Sequence, residues 1–200
     1  MELQRDRKYK AVVIGGSAGS FPVIVKILSG IPNVLNYPLI LCLHRLKHVR
    51  NGFVEALNSK SKITVMEPLD KQPIKPGCAY LAPANYHLGV EFGNIFSLST
   101  EPMVKFSRPS IDVSFDSLSY LYKDKLVGII LSGANTDGAN GISILKKRGG
   151  LTIVQNPEEA TIKTMPEAAT KSTEIDHIFN TNEIINFLND INKLYEKNTK

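Results

Sequence analysis

The stretch KAVVIGGSAGSFPVIVKIL, residues 10–28, decides the fold class of this chain. Ala11 to Ile14 is an unbroken apolar run, mostly β-branched, which is typical of a parallel strand covered on both faces. Residues 15–19 turn the chain, and apolar residues then recur at helical spacing from Phe21 to Leu28. A serine between two glycines, after a strand and before a helix, is the context of the nucleophile-elbow motif. The pattern therefore predicts the Ser17 hydroxyl at the carboxyl edge of a sheet, beside the free N–H groups of a helix start.

The same corner has two other physical interpretations. Glycine corners at helix starts also bind phosphates, but a dinucleotide fingerprint needs Gly-x-Gly-x-x-Gly and an acidic residue about twenty residues later. The glycines lie at 15, 16 and 19, and no Asp or Glu occurs between Asp6 and Glu55, so that fingerprint is absent. No Gly-Lys-Ser/Thr sequence ends the turn, which excludes a P-loop. The simpler alternative, that Ser17 only caps the helix, stays open at this point.

Length and composition predict one soluble globular domain. Of the 200 residues, 42% are hydrophobic and 22% are charged, which is ordinary for a globular protein. No apolar run approaches the roughly 18 residues of a membrane span, and the first residues lack a signal-peptide apolar region, so we expect a cytoplasmic protein. We expect a single domain over residues 1–200, with a core at about 10–179 and a C-terminal helix at 182–197.

Cysteine and charge content argue against metal, disulfide and nucleic-acid roles. Cys42 and Cys78 are too few and too far apart for a disulfide framework or a zinc site, and we expect neither a metal nor a cofactor. The net charge of +5 is spread along the chain, and the one tight basic group lies between Arg45 and Arg50. It lacks the interleaved aromatic residues that a nucleic-acid platform needs. That group is either a solvated loop or a docking site for an acidic partner surface.

Strand and helix patterns alternate along most of the chain. They predict an α/β fold with a doubly wound, mostly parallel sheet and flanking helices. Residues 67–108 differ, with short strands predicted at 78–81, 87–92 and 95–99, the last two joined as a hairpin by Gly93-Asn94. We expect this region to form a small antiparallel hairpin addition to the sheet.

Three polar residues follow three of the predicted buried strands: Ser17, His44 and Asp137. Ligands bind in the loops at the carboxyl edge of open α/β sheets, so these side chains are expected at one rim. They are the parts of a nucleophile, a general base and an orienting carboxylate. His44 and Asp137 also have plainer explanations. His44 could be a histidine at a strand end that bonds to the backbone, and Asp137 could cap a helix or belong to an Asp-Gly turn. A serine hydrolase, a small-molecule or nucleotide-binding module and an interaction domain all remain open.

Three other polar residues are weaker candidates. His87 and His177 lie in short strand-like segments, where structural or solvent roles are expected. Arg108 precedes Pro109-Ser110 at a predicted helix start, where it is either a ligand for a carboxylate or phosphate or an ordinary surface charge.

Four motifs occur in one order along the chain: VIGGSAG at 13–19, APANYHL at 82–88, RPSID at 108–112 and GANTDGANG at 133–141. They resemble the catalytic domain of the CheB family, the chemotaxis receptor methylesterases. The similarity runs in register from about Lys10 to Phe179, with GGLTIVQ at 149–155 and Met165-Pro166 also in place.

The resemblance implies a serine esterase of bacterial chemotaxis. Members of this family remove methyl esters from glutamyl side chains of chemoreceptors, and some deamidate glutamines there. The resemblance assigns the nucleophile to Ser17, the general base to His44 and the orienting carboxylate to Asp137, which are the residues that the strand ends selected. The expected oxyanion donors are the N–H of Ala18 and one from the Gly133-Ala134 corner.

The resemblance also implies partners and regulation. The expected partners are the cytoplasmic helical bundles of methyl-accepting receptors, with a separate response regulator or methyltransferase as a further partner. Family enzymes commonly carry an amino-terminal receiver domain, whereas only about nine residues precede the first strand here. We therefore expect a stand-alone catalytic domain that is not gated by a receiver in cis.

The chain departs from the family pattern at three places. Ser20 stands where a second glycine is usual, Arg45-Leu46 replace a Met-Pro or similar pair, and Ala134-Asn135 replace Met-Gly. These changes affect the expected shape of the oxyanion region and the choice of substrate. The alternative function is therefore an altered module that binds, regulates or acts on a different ester. Residues 45–50 are predicted to help dock the chain on Glu-rich receptor helices.

Overall fold

Parallel strands and helices build the computed structural model, which describes residues 7–45 and 52–196. The strands are β1 Ala11–Gly16, β2 Leu39–Leu43, β3 Thr64–Met66, β4 Cys78–Leu81, β5 His87–Glu91, β6 Ile95–Ser99, β7 Leu126–Ile130, β8 Leu151–Gln155 and β9 His177–Phe179. Seven of them form one sheet in the order β3-β4-β2-β1-β7-β8-β9, with every neighbouring pair parallel. The predicted α/β class and mostly parallel sheet are confirmed.

Helices follow most strands of this sheet. They are α1 Phe21–Gly30, α2 Phe53–Asn58, α3 Ile111–Tyr122, α4 Ala139–Lys147, α5 Thr164–Ser172 and α6 Thr181–Glu196. α6 begins one residue before the predicted start of the C-terminal helix. Within residues 7–45 and 52–196, none of the helices has the length and apolar character needed to cross a membrane.

The central strands are buried on both faces. Val12 and Ile14 of β1 belong to the apolar cluster that includes residues of α1 and α6, whereas Ala11 and Val13 belong to the cluster that includes residues of α3, α4 and α5. All six residues of β1 are buried. This explains why the sequence of β1 is a continuous apolar run and not an alternating one.

The predicted hairpin forms a two-stranded sheet of its own. β5 and β6 are antiparallel and pair with each other, and the hairpin packs on α3, where Ser114 Oγ donates to the Leu88 carbonyl (2.8 Å). β4, which the sequence placed in the same region, instead pairs in parallel with β2 and β3. Four residues of strand pattern carry no signal for direction, so the sequence could not separate β4 from the hairpin.

The strand order creates a topological switch point at the carboxyl edge of the sheet. β1 lies between β2 and β7, so the chain leaves β1 toward one side of the sheet and later returns to its other side. Such a switch point is where open α/β sheets bind ligands, because the loops on its two sides diverge. The described residues that follow β1, β2 and β7 adjoin there, since the Ser17 N–H donates to the Ser132 carbonyl and the His44 N–H to the Gly16 carbonyl.

Candidate active site

Ser17 lies directly after β1, where the chain turns from strand to helix. Its N–H donates to the Ser132 carbonyl (2.9 Å), which ties the corner to the loop after β7. Gly19 has φ +83°, a conformation that favours glycine. Ser20 is the residue that precedes α1, and within the described residues Ser17 Oγ makes no hydrogen bond. The interpretation of Ser17 as a helix cap is therefore wrong.

Ser20 is the first departure from the resembled family, and it braces this corner. Its side chain is buried, and its hydroxyl donates to the Ser17 carbonyl (2.7 Å). A Cβ at Gly16 would come within 2.7 Å of the Ser20 Cβ and Oγ. Ser20 thus packs in the space that Gly16 leaves and holds the backbone of the serine corner.

His44 and Asp137 form a hydrogen-bonded pair at the same edge. The register of β1 and β2 pairs Gly16 with Leu43, so Ser17 and His44 are the next positions along the two strands. His44 Nε2 lies 2.8 Å from Asp137 Oδ2, and Asp137 lies in the loop between β7 and α4. The residues predicted from the strand ends therefore lie on the loops of three adjacent strands.

Asp137 is completely buried and accepts hydrogen bonds at both carboxylate oxygens. Oδ1 accepts from the Ser110 hydroxyl (2.9 Å) and the Asp112 N–H (3.1 Å), and Oδ2 accepts from the Ile111 N–H (2.7 Å) as well as from His44. Burial alone raises the pKa of Asp137, but the bonds from His44 and from the α3 N–H groups outweigh it and hold the pKa below its ordinary value. Asp137 therefore caps α3 and not its own helix α4, and it is ionised at neutral pH.

This pairing decides which imidazole nitrogen is basic. A carboxylate only accepts hydrogen bonds, so Nε2 of His44 is the donor to Asp137, and in the neutral imidazole Nδ1 is the nitrogen that accepts a proton. Nδ1 lies 3.4 Å from Ser107 Oγ, and among the described residues no hydrogen bond joins it to Ser17. Catalytic hydrogen bonds are often long in unliganded enzymes and tighten when substrate binds. The arrangement thus brings a serine and an imidazole to adjacent positions at one edge of the sheet.

The expected oxyanion donors separate into two kinds. Ala18 and Ala134 are exposed, and their N–H groups have no backbone partner in the part of the chain that the structure describes. The Gly133 N–H instead donates to the Ile162 carbonyl (3.1 Å), and a Cβ at Gly133 would come within 2.5 Å of Met165 Cε. Gly133 is a packing position, whereas the geometry leaves the N–H groups of Ala18 and Ala134 open to a further acceptor, as the prediction of oxyanion donors requires.

Arg108 binds backbone carbonyls. Its Nη1 donates to the carbonyls of Thr100 (2.5 Å) and Glu101 (2.9 Å), so it anchors the segment that follows β6. Over residues 7–45 and 52–196, no hydrogen bond links its side chain to the Ser17 corner or to the His44 pair. The geometry favours a structural role for Arg108 over the predicted role as a substrate ligand.

The other two histidines of the described chain have structural roles, as the sequence suggested. His87 is buried, with Nδ1 accepting the Ser110 N–H (3.2 Å) and Nε2 donating to the Pro102 carbonyl (3.0 Å). It therefore positions Ser110, which bonds to the buried aspartate. His177 stacks on Phe179 with ring centroids 4.8 Å apart, and burial lowers its pKa.

Arg45 does not belong to a solvated basic loop. Its side chain is 2% exposed, its Nη2 pairs with Glu67 (2.5 Å) and donates to the Ala82 carbonyl (2.8 Å), and its guanidinium lies over the Phe53 ring. It holds the end of β2 against the end of β4, so it is not available to an acidic partner surface. The predicted basic docking group is therefore wrong at Arg45, and its remaining members at 46–50 lie outside the described residues.

Asp112 is a functional residue that sequence reasoning missed. Its Oδ1 accepts the N–H groups of Gly138 (2.8 Å) and Gly141 (2.7 Å) at the start of α4. Asp137 caps α3, so the two aspartates cap each other's helices. Asp112 was present in the RPSID motif, but an Asp in the first turn of a helix is so common that it carries no signal of a long-range partner.

Lys105 and Ser107 were also missed, and no sequence pattern points to them. Lys105 Nζ lies 2.8 Å from Asp112 Oδ2 and donates to the Thr136 carbonyl (2.8 Å). Ser107 is the neighbour of His44 described above. Both residues come from the irregular segment between β6 and α3, where only the folded structure reveals what they contact.

Metal binding has no support in this site. The described residues contain no group of three or more His, Cys, Asp or Glu side chains that could hold a metal ion. Cys42 is buried, and burial raises the pKa of its thiol to about 12, which leaves it protonated. The polar side chains that the sequence predicted for this edge are a serine, an imidazole and a carboxylate.

Comparison with known proteins gives the same family from sequence and from structure. The family model of CheB methylesterase matches residues 12–188. A relative from Leptospira interrogans serogroup Icterohaemorrhagiae, named putative protein-glutamate methylesterase/protein-glutamine glutaminase, is 40% identical over 176 residues, covering 88% of this chain and 91% of the relative. A protein-glutamate methylesterase/protein-glutamine glutaminase from Clostridium acetobutylicum is 34% identical over 74% of this chain, which spans only 43% of that relative.

A solved structure agrees with these relatives. The crystal structure of the Thermotoga maritima CheB methylesterase catalytic domain superposes with a TM-score of 0.88 at 28% sequence identity, covering 92% of this chain and 100% of that domain.

Proposed function

Since the chain belongs to the CheB methylesterase family, we propose that it is a serine hydrolase of chemotaxis that demethylates glutamate methyl esters on a protein. In this proposal Ser17 is the nucleophile, His44 the general base and Asp137 the orienting carboxylate. One observation carries the assignment of roles. The buried Asp137 carboxylate holds Nε2 of His44 at 2.8 Å, which leaves Nδ1 as the basic nitrogen at the edge of the sheet where Ser17 lies.

The first half of the reaction transfers the acyl group to the enzyme. Ser17 Oγ attacks the ester carbonyl while His44 Nδ1 takes the hydroxyl proton, and the carbonyl oxygen becomes an oxyanion. The N–H groups of Ala18 and Ala134 stabilise that oxyanion, and the Asp137 carboxylate stabilises the imidazolium. When the tetrahedral intermediate collapses, the C–O bond to the methoxy group breaks and His44 protonates the leaving methanol.

The second half returns the enzyme to its starting state. His44 takes a proton from water, and the resulting hydroxide attacks the acyl-enzyme carbonyl. The bond to Ser17 Oγ then breaks, Ser17 recovers its proton from His44, and the glutamic acid product releases its own proton to water and leaves as the carboxylate. No metal or cofactor is needed for these steps.

Glutamine deamidation is the second candidate activity. The relatives from Leptospira and Clostridium carry glutaminase as well as methylesterase in their names. The same site would release ammonia in place of methanol, with His44 protonating the leaving nitrogen. Amides are less reactive than esters, so we expect the methyl ester to be the faster substrate.

We propose that the protein substrate is the cytoplasmic helical bundle of a methyl-accepting chemoreceptor, and that residues 12–188 act as one catalytic domain in the cytoplasm. The family match over those residues supports this assignment. Arg45 is excluded from the docking surface because it is buried in an ion pair with Glu67. Further partners, such as a response regulator or a methyltransferase, would have to bind elsewhere.

The experiment is release of methanol from methylated receptor membranes by the purified chain. Wild type should release methanol, and Ser17→Ala should lose roughly 10⁴-fold or more in kcat, as triad knockouts do. Ser59→Ala, an exposed serine on the turn after α2, is the matched control and should behave as wild type. If the wild type releases neither methanol nor ammonia while still binding receptor, the altered binding module is the correct reading.

A further inference from the structure

A tight turn in the segment between β6 and α3 lies directly against the proposed general base. Val104 and Ser107 form an isolated antiparallel bridge, with hydrogen bonds of 3.2 Å and 2.9 Å between their backbone N–H and carbonyl groups. The two residues between them have positive φ, +49° at Lys105 and +62° at Phe106. Two-residue turns with positive φ at both central residues normally contain Asn-Gly, Asp-Gly or Gly-Gly, because most side chains disfavour positive φ. We call residues 104–107 the tight turn.

Strained backbone of this kind persists only where the surroundings hold it. Lys105 supplies the hold, because its ammonium lies 2.8 Å from Asp112 Oδ2 and donates to the Thr136 carbonyl (2.8 Å). The Asp112 side chain is 8% exposed and the Lys105 side chain 36%, so the carboxylate of this ion pair is buried while the lysine is partly open to water. Asp112 in turn binds the Gly138 N–H. Lys105 thus fixes the tight turn to the residues on both sides of Asp137.

The other end of the tight turn touches the imidazole. Ser107 Oγ lies 3.4 Å from His44 Nδ1, the nitrogen that does not bind Asp137. That lone pair must accept the proton of the nucleophile during the reaction. Ser107 is therefore placed at the atom where Ser17 has to act, while Lys105 is fixed beside the carboxylate that orients the same ring.

We propose that the tight turn is a positioning element for the general base. In the resting protein the Ser107 hydroxyl occupies Nδ1 of His44 and keeps the ring in its productive orientation, and it yields this nitrogen to Ser17 when the substrate binds. Lys105 keeps the tight turn in place. The inference rests on the proposed roles of Ser17, His44 and Asp137 and assigns to Lys105 and Ser107 roles that act through His44.

The kinetic signature of a positioning residue differs from that of a binding residue. Loss of the Ser107 hydroxyl leaves the protein surface that meets the substrate nearly unchanged, so KM should stay the same. Misorientation of the base slows proton transfer, and displacements of about 1 Å can reduce rates by about 100-fold. For Ser107→Ala we expect kcat to fall about 10-fold, a smaller loss because Asp137 still holds the other nitrogen.

The test measures kcat and KM for methanol release, and in parallel the second-order rate of labelling by a fluorophosphonate, which reacts with an activated serine. Ser107→Ala and Lys105→Met should lower kcat and the labelling rate together by about 10-fold at unchanged KM. Ser107→Thr keeps the hydroxyl and should restore most of the rate. The double variant should be no slower than Lys105→Met alone, because both changes act through one turn. Lys71→Met, which breaks an exposed ion pair with Glu91, is the matched lysine control and should not change the rate.

Each contrary result has a defined meaning. Wild-type kcat in Ser107→Ala, failure of Ser107→Thr to restore the rate, or a rise in KM without a fall in kcat overturns the positioning role. Complete loss of labelling in Ser107→Ala, with labelling retained in Ser17→Ala, overturns both this proposal and the assignment of the nucleophile. If Ser17→Ala abolishes labelling while Ser107→Ala is unaffected, the proposed function stands and this inference falls. Thermal unfolding of each variant at the assay temperature verifies that the folded protein is being measured.

Discussion

Replacement of Asp137 by Asn should reduce both stability and turnover, because the carboxylate accepts bonds at two oxygens that an amide cannot both supply. If the new NH2 group faced His44 Nε2 and the Ile111 N–H, donors would oppose donors at that side. If it faced the Ser110 hydroxyl and the Asp112 N–H, the hydroxyl could rotate to accept, and only the Asp112 N–H would lose its acceptor. The second orientation costs less, so it should be adopted.

The magnitude follows from the groups left without partners. One buried N–H without an acceptor costs about 1–3 kcal/mol, so Asp137→Asn should lower the free energy of unfolding by about 2 kcal/mol. Asp137→Ala leaves every donor of the site without an acceptor and should cost about 4 kcal/mol. Turnover should fall by about 10³–10⁴-fold in Asp137→Asn, because the imidazolium loses its compensating charge.

Urea unfolding followed by circular dichroism at neutral pH measures the first quantity, and methanol release measures the second. Asp190→Asn is the matched control, since the Asp190 side chain is 71% exposed and pairs with a neighbouring lysine on the surface of α6. The reasoning is refuted if Asp137→Asn and Asp137→Ala are equally stable, or if Asp137→Asn keeps kcat within about tenfold of wild type.

Three further predictions concern packing, backbone strain and pH. Gly141→Ala should lower the free energy of unfolding by about 2 kcal/mol, because the new Cβ would lie 2.9 Å from the Asp112 Cα. Asn140→Ala, on the exposed side of α4, is the control and should be neutral or slightly stabilising. Equal effects of the two changes in urea unfolding would contradict the close approach of α3 and α4. Phe106→Gly should raise the melting temperature, because Phe106 is 98% exposed and has φ +62°, where glycine relieves about 1 kcal/mol of backbone strain. A lower melting temperature would show that the Phe106 side chain stabilises the fold. The pKa of Asp137 is lower in the folded than in the unfolded protein, so its carboxylate stabilises the fold above the unfolded pKa, and this stabilisation is lost as the pH falls through the folded pKa. Between about pH 5 and pH 3, wild type should therefore lose more free energy of unfolding than Asp137→Asn. Parallel pH curves for the two proteins would contradict this.

Much of the fold could be predicted because its central strands carry an unmistakable pattern. β1 and β7 are continuous apolar runs, and their burial on both faces leaves no other interpretation of the sequence. The strand ends then selected Ser17, His44 and Asp137, because parallel strands bring their carboxyl ends to one edge. The direction of β4 was not predictable, since its partners β2 and β3 are distant in sequence and its pattern spans four residues.

The rest of the site depends on contacts that no local pattern encodes. The alternative explanation of Asp137 was a cap on its own helix, but its carboxylate accepts N–H groups at the start of α3, while Asp112 of α3 accepts N–H groups at the start of α4. Arg45 was expected to be solvated because it begins a basic run, but Glu67 and the Ala82 carbonyl bury it. Long-range partners of this kind become visible only when the sheet has brought the loops together.

Ser17 is the proposed nucleophile, and a covalent label located by mass spectrometry identifies the reactive residue. The purified chain is labelled with a fluorophosphonate, digested with trypsin and analysed by tandem mass spectrometry. Cleavage after Lys10 and Lys26 gives a peptide of residues 11–26, while Ser107 falls in a separate peptide of residues 106–123. The account predicts an adduct on Ser17 of the first peptide, which disappears in Ser17→Ala. An adduct on Ser107 or on Ser20, or a labelled Ser17→Ala protein, would contradict it.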